Sequence, residues 1–195
     1  MSEAPARRST RTASTRERLY AAALTLIGTR GVDQVSVEEI AAEAGVAKGT
    51  VYYNFTSKDM LIEGLLEDRL DALIADLRAI PQGQVVHGAV ETMLRFIDGN
   101  VALSQVVVAE LWRPGSRWHD VLGRKRAEVI DTMEALFEAA ATSDDRAAEG
   151  LSPRILAVGL LATSLASGLD WQVYTPNRPR AEITAQIVRL FEVRS

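Results

Sequence analysis

The chain has 195 residues, 47% of them hydrophobic, with a formal net charge of −4 and no cysteine. That length suits one domain of ordinary size or a small domain joined to a larger one, and the missing cysteine excludes a disulfide framework, a thiolate nucleophile and a zinc–sulfur site. No apolar run approaches a bilayer span, and the polar, basic start lacks the apolar core of a secretory signal; the expected location is cytoplasmic, with no membrane partner.

Residues 1–13 are small and basic without periodicity, which predicts a disordered basic arm. Ser14 and Glu17 form a capping box that opens a first helix. Leu19, Ala22, Ala23, Leu26 and Ile27 stripe one face of it, and it ends near Gly31. A second capping box, Ser36 with Glu39, opens a short helix with Val37, Ile40, Ala41 and Ala44 on one face. Gly45 supplies the turn that follows, because the left-handed conformation at a helix end favours glycine. The next helix, Ala47 to Phe55, buries Val51 and Phe55 and turns Lys48, Gly49, Thr50, Tyr52, Tyr53 and Asn54 outward. A short helix with an apolar back and a front of donors and aromatics fits a DNA major groove.

Thr56 and Ser57 cap a long helix over 58–79, carrying Leu61, Leu65, Leu73, Ile74 and Leu77 and closed by Pro81; it would span roughly 33 Å. Further helices are predicted at 84–98, 101–112, 116–141, 153–174 and 179–193. They are separated at Gly99-Asn100, Pro114-Gly115, Ser143-Asp144-Asp145 and Pro176-Asn177. Ser152-Pro153 places a cap before a proline at the first helical position. Nothing alternates with period two. The expected fold is all-α: a three-helix helix-turn-helix head over 14–57, and a helical bundle of about six helices over 58–195.

Charge divides along the same line. Residues 1–58 hold eight Lys and Arg against six Asp and Glu, and residues 59–195 hold fourteen against twenty. Positive charge gathers where a phosphate backbone would lie.

Residues 36–58, SVEEIAAEAGVAKGTVYYNFTSK, resemble the signature of the tetracycline-repressor (TetR) family. The matching positions are Ser36-Val37, Ile40-Ala41, Ala44-Gly45-Val46, Gly49-Thr50, Tyr52, Phe55 and Lys58, and the resemblance extends over about residues 14–60. It implies a homodimeric, ligand-responsive transcriptional regulator: a repressor that binds a palindromic double-stranded operator, needs no cofactor and is released by a small hydrophobic effector. An activator or a ligand-independent DNA binder is the alternative, and a helical protein–protein adaptor a weaker one.

The resemblance also suggests roles. Lys48 would reach a guanine edge or a phosphate, and Thr50 a phosphate or a thymine methyl. Tyr52 would touch the DNA backbone and Tyr53 the bases beside Gly49, whereas Asn54 stands where the family often has histidine. Lys58, together with the helix start at Ser36 and Val37, would hold phosphate. Arg11 and Arg16 would add charge from the arm. Ala47 departs from the pattern, and the missing capping hydroxyl costs about 1 kcal/mol of helix start.

In the body, large or polar residues within apolar helices are the candidates for an effector pocket: Met93, Phe96, Glu110, Trp112, Trp118 and Phe137, then Ser164, Ser167 and Trp171. Glu110 would either receive a cationic ligand or pair with Arg113 or Arg117. Gly159, Ala162, Thr163 and Ala166 form a small-residue stripe, and Ile183, Ile187, Leu190 and Phe191 an apolar one. Similar proteins dimerise through a four-helix bundle built from these two helices of each subunit. His87 and His119 are the only histidines and belong to no recognisable motif. With no GxSxG, HExxH or phosphate-binding glycine loop, neither an enzyme nor a metal site is expected.

Overall fold

The computed structural model describes residues 4–140 and 152–191, with side chains from Ser14 onward. Among the described residues there are nine α-helices and no strand: α1 (Ala4–Arg30), α2 (Val37–Glu43), α3 (Lys48–Asn54), α4 (Lys58–Arg78), α5 (Val85–Gly99), α6 (Val101–Leu111), α7 (His119–Ala140), α8 (Pro153–Tyr174) and α9 (Arg180–Phe191). The predicted break at 143–145 and the ends of the helices expected at 116–141 and 179–193 lie outside the described residues.

Two expectations need correction. Helix α1 starts at Ala4 rather than Ser14, so residues 4–13 are helical and Ser14 is not a cap. Alanines and arginines favour helix, and a helix already nucleated by its packed half elongates through them. Pro5 falls in the first turn, where its missing N–H is no loss. Helix α7 starts at His119 instead of 116, because the Ser116 hydroxyl accepts from the Trp118 amide and holds a turn there.

The chain forms two compact units, Met1–Glu67 and Asp68–Ser195, with the boundary inside α4 instead of at its start. In the first unit, α1 packs on α2 and α3 around Leu19, Ala23, Ile40, Val51, Leu61 and Leu65, all nearly or wholly buried. The turn between α2 and α3 is a Schellman motif. Val46 donates to the Ala41 carbonyl and Gly45 to that of Ala42, and Gly45 sits at φ +62, where a side chain would be strained. From α1, the Arg18 guanidinium donates to the carbonyls of Ala44 and Gly45 at 2.5 and 3.0 Å. It thereby satisfies acceptors that the end of α2 leaves open.

The second unit is built around α8, which packs against α5, α7 and α9. Its most apolar 18-residue stretch has a mean hydropathy of 1.2, enough by length and composition for a bilayer span, although the sequence shows no uninterrupted apolar run of that length. Packing inside the bundle accounts for only part of that composition, since 33% of the stretch is buried. Pro153 begins α8, and the Ser152 hydroxyl accepts from the Ile155 amide. Arg180, at the start of α9, bonds Glu91 and Asp98 of α5 at 2.9 Å each, and Thr184 donates to the same Glu91.

Helix α8 meets α5 at Gly168. A Cβ there would lie 2.5 Å from Ile97 Cδ1 and 3.0 Å from Leu94 Cδ2. Gly168→Val should therefore lower stability by about 2–3 kcal/mol through overpacking, measured as a drop in the urea midpoint. An unchanged midpoint would mean that the α5–α8 contact is not close-packed.

Candidate nucleic-acid interface and body cavity

The outward face of the head is set by how α3 is anchored. Val51 is buried, and Phe55 closes the helix and packs against Tyr20, with ring centroids 5.7 Å apart. The opposite side is left open: Tyr52 is 47% and Tyr53 71% exposed, and a side chain added at the exposed Gly49 would have open space around its Cβ. Ala47 makes no side-chain cap to α3. Lys48 pairs with Glu38 of α2 and sits 5.8 Å above the Tyr52 ring. Hydrogen bonding between them holds the Glu38 carboxyl below its usual range and the Lys48 ammonium above its own. Thr50 is half-buried. The Asn54 amide donates to the Thr50 carbonyl at 2.8 Å, so it serves its own helix.

Several expected DNA contacts are tied up within the head. Lys58 donates to the carbonyls of Val32 and Val35 at 3.0 and 2.9 Å. An ammonium has three N–H groups, so two are committed to the loop before α2. The Val37 side chain is buried in the core, leaving only its backbone at the helix start. Arg16 places its guanidinium 4.9 Å over the Phe55 ring. The Arg11 side chain lies outside the described residues. Ser36 and Glu39 complete the capping box: the Glu39 amide donates to the Ser36 hydroxyl, and the Ser36 amide to Glu39. The hydrogen bond from Arg30, followed by those from Ser36, draws the Glu39 carboxyl down to about 2.

In the body, helices α4 to α8 enclose an apolar cavity with about 730 Å³ of empty space, part of it open to solvent. Of the candidate pocket residues, Met93, Phe96 and Trp112 line it. Glu110, Trp118, Phe137, Ser164, Ser167 and Trp171 do not. Glu110, in the last turn of α6, is buried and accepts a hydrogen bond from Arg113 at 2.8 Å. Trp118 and Phe137 are buried in the core, and Trp171 donates its indole N–H to the Arg178 carbonyl. The face of α8 toward the cavity is Val158, Leu161, Ala162 and Leu165. Ser164 and Trp171 instead share a face with Gly168, which meets α5.

Sequence reasoning missed three polar lining residues: Ser104, Lys125 and Arg126. For Lys125 a signal existed, since it occupies a core position in the stripe Val121, Leu122, Lys125, Val129. It is buried, and its ammonium bonds Asp71 at 2.5 Å and Glu128 at 3.0 Å. Burial pulls its pKa down, but hydrogen bonds to the two acids outweigh this and hold it above the usual lysine value.

The apolar stripe of α9 is divided. Ile183 and Ile187 are buried in their own unit, where α9 packs on α5, so they are core residues and not a free face. Leu190 is 72% exposed, and Phe191 is half-buried beside Gly159. On α8, Ala162 and Ala166 are exposed, Gly159 and Thr163 half-buried, and Ile155 and Val173 extend the same exposed side.

Two short helices joined by a glycine turn, with an outward-facing second helix, define a helix-turn-helix head; the all-α body carries a cavity of its own. Residues 19–65 match the family of bacterial regulatory proteins described as the tetR family. The chain is 37% identical over 68 residues to the HTH-type transcriptional repressor KstR2 of Mycolicibacterium smegmatis, covering 35% of this chain and 33% of that protein. The chain thus spans about a third of the first curated relatives it matches. A longer match, 27% identical, joins 80% of this chain to 71% of the HTH-type transcriptional activator FasR of the same organism. The fold is shared with the transcriptional regulator FadR from Bacillus subtilis, solved in complex with stearoyl-CoA. The TM-score is 0.75 at 18% identity, over 89% of this chain and 96% of that one. These relatives are named as regulators, not enzymes.

Because the Glu39 carboxyl is depressed when folded, its contribution is present above its unfolded value of 4.5 and is lost as pH falls toward about 2. Glu39→Gln should therefore lower the denaturation midpoint at pH 7, and the gap to wild type should close between pH 4.5 and pH 2. A gap independent of pH would remove the charge from the explanation.

Proposed function

We propose that the chain is a homodimeric, DNA-binding regulator of transcription that represses from a palindromic operator and is released when a small hydrophobic molecule fills the body cavity. The observation that carries the DNA-binding part is α3 itself. Its buried Val51 and Phe55 fix the helix on the head, while Lys48, Gly49, Tyr52 and Tyr53 face outward with the size and chemistry of a major-groove probe. Thr50, Ser36 and the arginines of α1 would supply phosphate contacts. In this reading the head does the reading and residues 58–195 do the sensing and pairing.

The dimer rests on the exposed side of α8, with Ala162, Ala166, Ile155 and Val173, and on Leu190 of α9. Small residues let a second helix approach closely, and two heads read more base pairs than one seven-residue helix. The cavity supports the effector: it is apolar and partly open, and a FadR of the same fold was solved with stearoyl-CoA. The sign of regulation has one observation on the other side. One match that joins 80% of this chain is to a protein named as an activator, so activation is the second reading.

Selection of bound duplexes from sheared genomic DNA at physiological salt should return a few palindromic sites, with affinity falling steeply as salt rises. Even recovery of all sequences, or none, would overturn operator recognition. On the selected site, Lys48→Ala should weaken binding about tenfold or more, whereas Glu38→Gln, which frees Lys48 of its partner, should tighten it. Ala166→Arg should turn a dimer into a monomer by sedimentation; a monomeric wild type would remove the pairing.

A further inference from the structure

The wall of the cavity is uneven in one respect. It contains no acidic side chain, and its polar groups are Ser104, Lys125 and Arg126 set among leucine, valine and aromatic residues. Ser104 on α6 is wholly buried, and its hydroxyl has no hydrogen-bond partner. A buried hydroxyl without a partner is unfavourable, and such groups normally find protein or water. The Lys125 charge is already matched by Asp71 and Glu128. The half-buried Arg126 has no ion pair or hydrogen bond among the described residues. Glu110, the one buried acid of α6, is held by Arg113 and stands outside the lining. The lining therefore offers one unmatched positive charge and one unmatched hydroxyl, and nothing to receive a cation.

We propose that the cavity binds an amphipathic organic anion: a single carboxylate, or a group of equivalent charge, paired with Arg126, a hydrogen bond from Ser104, and an apolar body among the leucines, Met93 and Phe96. This deepens the effector reading above and rests on it. Arginine presents a planar fork of donors that matches a carboxylate. Exposure grades along the wall from Ser104, wholly buried, to Trp112, 66% exposed, which marks the open side. From Ser104 to Leu111 the wall of α6 runs about 10 Å at 1.5 Å per residue, close to an extended ten-carbon chain. A cationic or purely apolar molecule of the same body would leave Arg126 desolvated and unpaired, which is unfavourable.

Three probes with one apolar chain and different heads separate the possibilities: decanoate, 1-decanol and decylammonium, each titrated by calorimetry and by quenching of tryptophan fluorescence, below the concentrations at which they self-associate. Decanoate is expected to bind about tenfold or more tightly than either other probe. Arg126→Gln should abolish that preference while leaving 1-decanol binding unchanged. Ser104→Ala should weaken decanoate several-fold in a protein whose melting temperature is not lowered. Equal affinity for all three heads, a preference for decylammonium, or a preference that survives Arg126→Gln would overturn the anionic head and leave the effector cavity standing. No saturable binding of any probe to the folded protein would overturn the cavity as a ligand site, and this proposal with it.

Discussion

Seven-residue helices do not hold themselves, and the head of this protein carries two in succession. Nucleating a helix is unfavourable, so isolated segments of this length are largely unfolded in water. Everything else in the first unit answers that constraint. Ser36 and Glu39 close the start of α2, the Schellman turn and Arg18 close its end, and Arg30 from α1 steadies Glu39 at 2.7 Å. Helix α3 lacks a capping side chain at Ala47 and is held by the burial of Val51 and Phe55 and by the pairing of Lys48 with Glu38 of α2. The outward face of α3 is thus defined by what fastens its back.

The same economy of polar partners runs through the second unit, where most buried polar groups are matched. Trp171, Thr184, Glu110 and Lys125 each have a named acceptor or donor. Against that background the orphaned hydroxyls of Ser104 and Ser164 are exceptions, and only that of Ser104 belongs to a residue lining the cavity. Unpaired exposed groups say little, because water serves them. An unpaired group in an otherwise satisfied interior points to something that completes it.

What could be read in the sequence divides along physical lines. The helix-turn-helix was legible because its signals are local: a hydroxyl and a carboxylate three residues apart, a glycine at a helix end, an apolar residue every three or four. The start of α1 was not, since the Ser14–Glu17 pattern is a cap only where a chain enters a helix, and here the helix already runs through from Ala4. The commitment of Lys58 to Val32 and Val35 was hidden because those carbonyls lie 26 and 23 residues away. The cavity was read in part, through Met93, Phe96 and Trp112. Glu110, Trp118, Phe137, Ser164, Ser167 and Trp171 stand outside the lining because size and polarity do not tell which way a side chain points; on α8, the face that meets the void is decided by where Gly168 admits α5. For α9, an apolar stripe could not reveal whether its partner would be α5 or another chain.

The boundary between the two units falls inside α4, with no linker at that point. Leu61 and Leu65 belong to one core and Leu70, Leu73 and Leu77 to the other, yet all are spaced along a single unbroken helix. A helix turns by 100° at each residue, since 3.6 make a turn. Removing or adding one residue near Glu67 would therefore turn the downstream leucines, and the unit they belong to, by about 100° around the helix axis relative to Leu61 and Leu65.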